Sequence, residues 1–211
     1  VVQQRLLDIA VEAFGRHGLE GASTREIAKA AGTAMSSITY HYGGKEGLYL
    51  AAAEHVAQEM GDQFASDALD AAVQSADPAQ ARAAIHVLLR RFLHRLLEPK
   101  SDGWAMFIMR EQMAPSEAFE RIYAGPMGHN SRTLVELICV ATGGHDRDAA
   151  RLTAISLFGQ VLVMKVARAT CRKMLERDTL THQLLSDYAD RVAANVDAIL
   201  DRMISERQEQ A

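Results

Sequence analysis

Apolar residues recur three and four positions apart along almost the whole chain, which is the period of an amphipathic helix. Over residues 2–17, Leu6, Ile9, Ala10, Ala13 and Phe14 share one face, and Gly18 supplies a stop with Gly21 following in the loop. Ser23-Thr24-Arg25-Glu26 then has capping-box spacing, Ser at the N-cap and Glu three positions later. It predicts a short helix through Ala31, with Ile27, Ala28 and Ala31 inward, broken by Gly32. A third helix is predicted over 35–42; Gly43-Gly44 ends it, and Lys45 opens a fourth carrying Leu48, Leu50, Ala53 and Val56. Two short helices joined by a tight turn across Gly32 have the shape of a helix-turn-helix. Helical geometry turns Met35, Ser36, Thr39, Tyr40 and His41 outward and Ile38 inward. Tyr42, which cannot share a face with Tyr40, is expected in the core.

Beyond residue 65 the pattern stays helical. The stretch 66–77 is weakly amphipathic and is expected to hold a loop. Asp77 and Pro78 have the chemistry of an N-cap and first helical residue, opening a helix to about Leu97 with Ile85, Leu88, Leu89, Phe92, Leu93 and Leu96 apolar. Glu98-Pro99 closes it. Residues 104–113 are apolar almost all round and are expected to be buried. Pro115-Ser116 restarts a helix through Tyr123, Gly125-Pro126 breaks it, and 127–142 continue to a turn at Gly143-Gly144. Residues 148–169 and 181–206 form the last two helices. No internal repeat or low-complexity stretch interrupts this order. The fold class is all-α: a helix-turn-helix domain over 1–47 and a larger helical domain over 48–211 for ligand binding and dimerisation, joined through the helix that starts at Lys45.

Composition agrees. Only 6% of the 211 residues are aromatic and four are proline, against 48% apolar overall, which suits helices better than sheets. Net charge is −4. Within residues 1–50, Arg5, Arg16, Arg25, Lys29 and Lys45 balance Asp8, Glu12, Glu20, Glu26 and Glu46. Any contact to nucleic acid therefore comes from a few well-placed donors and not from bulk charge. Cys139 and Cys171 lie in helical patterns and are read as small buried hydrophobes of a reducing compartment. No leader pattern is read at the start, a short arm is expected before Val1, and the most apolar stretch, 157–169, is interrupted by Lys165 and Arg168. No membrane span and a cytoplasmic location are expected.

No catalytic motif is found: there is no nucleophile elbow, phosphate loop or zinc-protease pair. No enzyme activity, metal or cofactor is expected. His86 and His94 stand two helical turns apart, too far for one ion. His129, His145 and His182 sit near helix ends, where a C-terminal end favours the imidazolium. His41 has no second ligand at helical spacing.

The run Ser23-Thr24-Arg25-Glu26-Ile27-Ala28-Lys29-Ala30-Ala31-Gly32, followed by Ile38-Thr39-Tyr40-His41-Tyr42-Gly43-Gly44-Lys45-Glu46-Gly47-Leu48-Tyr49, resembles the signature of the TetR family of bacterial regulators. The second run, with Arg110-Glu111 and Pro115-Ser116-Glu117-Ala118-Phe119-Glu120-Arg121-Ile122-Tyr123, is similar to the CerR/CecR-like subgroup. The resemblance implies a homodimer that places residues 35–42 of each subunit in a major groove and reads a palindrome, with half-sites roughly 34 Å apart. Thr24, Ser37, Tyr40 and Lys45 match positions that contact phosphate, as does His41. Arg25, Met35, Ser36 and Thr39 match positions that approach base edges. Ala34 departs from the family, which has Ser or Asn at this cap; Thr33 is the candidate substitute.

In the larger domain, Phe92, Trp104, Phe107, Met109, Phe119, Tyr123, Met127 and Met164 are expected to line an apolar effector pocket, with Arg110 or Glu111 orienting a polar group. An ion pair is the alternative role for those two charges. Leu152, Ile155, Phe158, Gly159 and Leu162 on one helix, and Leu185, Tyr188, Val192, Ala193, Val196, Ile199 and Met203 on the last, trace stripes expected to meet in a four-helix dimer interface. The expected function is that of a ligand-responsive DNA-binding regulator, a repressor released by an apolar or amphiphilic molecule. The alternative is a protein-interaction module of the same fold that has lost DNA binding.

Overall fold

The computed structural model describes residues 2–64, 67–98, 101–144 and 146–210; Pro99 and His145 lie outside the described residues. Among the described residues every regular element is helical. The chain divides into two compact units, Val1–Ala65 with Glu98–His129, and Ser66–Leu97 with Asn130–Ala211.

The first unit contains α1 (Val2–Gly21), α2 (Thr24–Ala31), α3 (Met35–Tyr42), α4 (Lys45–Phe64), α7 (Ser101–Met113), α8 (Glu117–Ile122) and a wide π-helical turn at Tyr123–Met127. The predicted stop at Gly18 is a break inside α1, at φ 70° and ψ 177°. Gly32 and Gly43 close α2 and α3 in the left-handed conformation, which a glycine adopts without steric cost. Ser23 caps α2 by accepting a hydrogen bond from the Glu26 N–H. The core forms where α1, α4 and α7 meet. The Phe14 ring packs edge-on against Tyr49 at 4.9 Å, and the Phe107 ring lies 4.7 Å from the Tyr49 ring. Gly15 permits the α1–α7 approach: a Cβ there would lie 2.8 Å from the Gly103 carbonyl oxygen.

The second unit contains α5 (Asp67–Gln74), α6 (Pro78–Leu97), α9 (Gly128–Ala141), α10 (Arg147–Val166), α11 (Arg168–Met174) and α12 (His182–Gln210). Asp77 caps α6 by accepting from the Ala79 N–H at 2.9 Å, which holds its carboxyl below the usual range. Leu88, Leu89 and Leu93 of α6 pack in a core with Leu157, Val161 and Val196.

Several expectations need correction. Residues 67–74 form a helix where a loop was expected. The α7 helix is not buried all round, because Met106, Met109 and Met113 are exposed. The helix expected over 148–169 stops at Val166; Ala167 leaves helical geometry and α11 follows, so Cys171 sits on a separate, mostly exposed helix. Arg147–Val166 is long and apolar enough, by length and composition, to cross a membrane, so Lys165 does not remove every candidate. His129 and His182 stand at the starts of α9 and α12, so the dipole argument for C-terminal ends does not cover them. Cys139 and Cys171 form no disulfide and are half-buried, not core residues.

Candidate nucleic-acid interface

The α3 helix buries Ile38 and exposes Met35, Ser36, Thr39, Tyr40 and His41. Ile38 is its one buried side chain and Ser37 and Tyr42 are half-buried, which leaves the other five residues as one outward row. Tyr40 is 85% exposed, with its ring edge-on to His41 at 5.0 Å. Exposure of a tyrosine this large calls for a partner more than that of a scattered aliphatic does. Arg25 is exposed at the start of α2, Thr24 and Ser37 are half-buried, and all three belong to the same pair of helices.

Ala34 is the N-cap of α3 and makes no side-chain cap bond. Thr33 does not replace it; its N–H instead bonds the Ala28 carbonyl at 2.9 Å and closes α2. The Ser37 N–H bonds the Ala34 carbonyl, while the N–H groups of Met35 and Ser36 take no part in such a bond. An uncapped helix start presents donors and a positive dipole end to an anion. Lys45 has a structural role that the sequence did not reveal: its Nζ donates to the Glu20 carbonyl at 2.8 Å and ties α4 to the end of α1. Tyr42 is half-buried, with a buried hydroxyl that has no hydrogen-bond partner.

The predicted effector residues separate. Phe107 is fully buried in the first unit's core. Phe119 stacks on Tyr123 at 5.7 Å, Tyr123 is exposed, and Trp104 and Met127 are half-buried. Phe92 and Met164 belong to the second unit, where Phe92 packs edge-on against Phe158 at 5.5 Å. Met109, Arg110 and Glu111 do come together, in an open groove of about 620 Å³ against α1.

Arg110 and Glu111 form no ion pair with each other. The Glu111 carboxylate is buried and accepts from the Tyr49 hydroxyl at 2.6 Å. It also accepts from the N–H groups of Ser116 and Phe119, each at 3.0 Å, and from the Ser116 hydroxyl at 2.8 Å. It thus caps α8 from outside and joins α8 to α4. Burial, and then the bond to Glu111, push the Tyr49 phenol above its usual range. Arg110 donates from Nε to the Gly15 carbonyl and from one Nη to the Arg16 carbonyl, each at 2.7 Å. Both carbonyls lie in the last turn before the break at Gly18, where a helix runs out of donors for its carbonyls.

On α10, Leu152 and Ile155 are 68% and 67% exposed, Gly159 opens on empty space, and Phe158 and Leu162 are half-buried. On α12, Val192 and Val196 are buried in the unit's own core, while Leu185, Tyr188 and Ile199 are half-buried. Tyr188 donates to the Gln160 carbonyl, and Asn195 donates to the Gln160 side chain at 2.7 Å.

Residues 6–52 match the TetR family of bacterial regulatory proteins, and residues 81–203 match the C-terminal domain of the HTH-type transcriptional dual regulator CecR. The chain is 33% identical over 173 residues to the dual regulator CecR of Shigella flexneri, across 80% of this chain and 77% of that protein. It is 28% identical over 208 residues to the regulatory protein RaaS of Mycobacterium tuberculosis, across 96% and 87% of the two chains. A TetR-family transcriptional regulator from Streptomyces coelicolor has the same fold, with a TM-score of 0.65 at 17% identity over 96% of each chain.

Proposed function

The chain belongs to the TetR family of bacterial regulators, as a DNA-binding transcription regulator and not an enzyme, and on that premise we propose that it represses from a palindromic operator as a homodimer and is released by a small apolar or amphiphilic molecule. The observation that carries this reading is the outward row on α3, backed by Arg25 and by an uncapped helix start. Arg25, Met35, Ser36 and Thr39 approach base edges. Thr24, Ser37, Tyr40, His41 and Lys45 hold phosphates and set the register. One bond from Lys45 to Glu20 leaves two ammonium protons for a phosphate.

The apolar face of α10 is the dimer contact, because two large aliphatic side chains exposed one turn apart beside a glycine permit close approach of a second copy. From α12, Leu185, Tyr188 and Ile199 contribute, whereas Val192 and Val196 are occupied within the subunit. A regulator of this kind works beside the chromosome, in the cytoplasm.

The test is a gel shift with the DNA upstream of the protein's own gene, run with sedimentation at micromolar concentration. A retarded complex that random DNA does not compete away, from a dimeric protein, supports the reading. A dimer that retards no DNA points to the interaction module instead, and a monomer removes the α10 contact. CecR is described as a dual regulator, so a reporter assay should score activation as well as repression.

A further inference from the structure

The first unit contains a second surface with unpartnered apolar side chains, away from α3. Met106, Met109 and Met113 lie at i, i+3 and i+7 of α7, which puts them within one narrow arc of the helix. They are 41%, 40% and 86% exposed, and all three line the open groove of about 620 Å³ whose other wall is Gly15, Gly18 and Leu19 of α1. That volume suits a small organic molecule. Thioethers are polarisable and adaptable, and they suit a flat apolar partner.

The groove also has one charged edge. Arg110 spends Nε and one Nη on the Gly15 and Arg16 carbonyls and forms no ion pair with Glu111. The other Nη makes no hydrogen bond and lies over Gly18, where a Cβ would approach to 3.1 Å. Because residue 18 is glycine, that nitrogen stays open to the groove. Glu111, which also lines the groove, has both oxygens occupied by four donors and offers a ligand little.

From the methionine wall and the open guanidinium edge, we infer that the α1–α7 groove binds an apolar organic anion, with an aromatic or acyl body on Met106, Met109 and Met113 and its acid group on Arg110. The inference rests on the proposed regulatory reading and deepens it by locating the effector. The anion takes up the free Nη and competes with the Gly15 and Arg16 carbonyls for the guanidinium. Those carbonyls end the first part of α1, which leads into α2 and α3, so occupancy bears on the DNA-reading helices from within their own unit. Tyr49, also at the groove, connects it to α4.

The probe is anilinonaphthalene sulfonate, an aromatic anion whose fluorescence rises on transfer from water. It is compared with phenylnaphthylamine, the same skeleton without the charge. The full-length protein should bind the sulfonate saturably and about tenfold more tightly than the uncharged analogue, the worth of one charge-assisted hydrogen bond. Met106→Glu and Met113→Glu, both at exposed positions, should abolish binding of the sulfonate while circular dichroism stays unchanged; Met106→Leu should retain it. Arg110→Gln should remove the preference for the anion and leave the uncharged probe bound. Unchanged binding in both Glu variants, or equal affinity for the two probes in the unmodified protein, overturns the site. A gel shift with the sulfonate present judges the regulatory reading separately. DNA release there, lost in Met106→Glu, supports both. Binding at the groove without release leaves the site standing and removes its role as the effector site.

Discussion

Each unit is knit internally by a different kind of polar contact. In the first, the buried Glu111 carboxylate takes four hydrogen bonds that join α4, α7 and α8, and the exposed Arg110 closes the broken end of α1. In the second, α6 and α12 are joined across a more exposed seam. Arg82 meets Asp197 at 3.0 Å and Asp201 at 2.5 Å, His86 meets Asp197 at 3.1 Å, and Arg90 meets Asp190 at 2.5 Å. Water screens and competes for the second kind, so each pair adds little. The Glu111 carboxylate is desolvated, so its loss leaves buried donors without an acceptor. A single polar substitution at Glu111 therefore has a larger effect than one in the α6–α12 seam.

The largest difference should come from Glu111→Ala. It leaves the Tyr49 hydroxyl and the Ser116 N–H without an acceptor, while the Phe119 N–H keeps its bond to the Ser116 carbonyl, and it should lower stability by about 3 kcal/mol. Urea denaturation checks this, and a loss under about 1 kcal/mol would break the comparison. Gly15→Ala comes next. Its Cβ meets the backbone of Gly103, which cannot step aside, so a loss of about 1–3 kcal/mol is expected.

Tyr49 gives the contrast a pH signature. Its phenol is raised above the ordinary value of 10.0, so the folded state holds this proton more tightly than the unfolded chain. The associated stability is intact below pH 10 and is lost as pH rises above it. A denaturation series should show a steeper alkaline decline for the unmodified protein than for Tyr49→Phe. Parallel declines would mean the phenol is not shielded as described. The smallest effect should be that of Arg82→Ala, about 1 kcal/mol at low salt and less in high salt, since both of its partners are substantially exposed.

What could be read from sequence follows the range of the interactions. The α2–α3 pair was legible because Ser23, Gly32, Gly43 and the outward row from Met35 to His41 are local signals of caps, turns and period. The TetR-family resemblance was legible for the same reason. The partners of Arg110, Glu111 and Lys45 were not, since they lie at Gly15, Tyr49 and Glu20, on helices distant in sequence. Helical period also cannot say which apolar stripe faces the chain's own core. Val192 and Val196 are buried, and Leu152 and Ile155 on the neighbouring stripe are exposed. Met106, Met109 and Met113 fall in the run 104–113, which was expected to be buried for the same reason, with Met109 lining a pocket. The break at Ala167 carries no glycine or proline, so no local signal announced it.

Recognition of DNA sequence by α2 and α3, as proposed for the first unit, depends above all on Arg25, and Arg25→Ala puts it to the test. Arg25 is exposed and caps nothing, so its removal should leave folding intact. Fluorescence anisotropy at fixed salt, with operator and random duplexes compared, should show operator affinity falling by about 1–3 kcal/mol, roughly five- to 150-fold, while random-sequence affinity changes by less than about threefold. An equal loss on both duplexes would reduce Arg25 to a phosphate contact, and no loss on either would contradict the reading of this surface as the DNA interface.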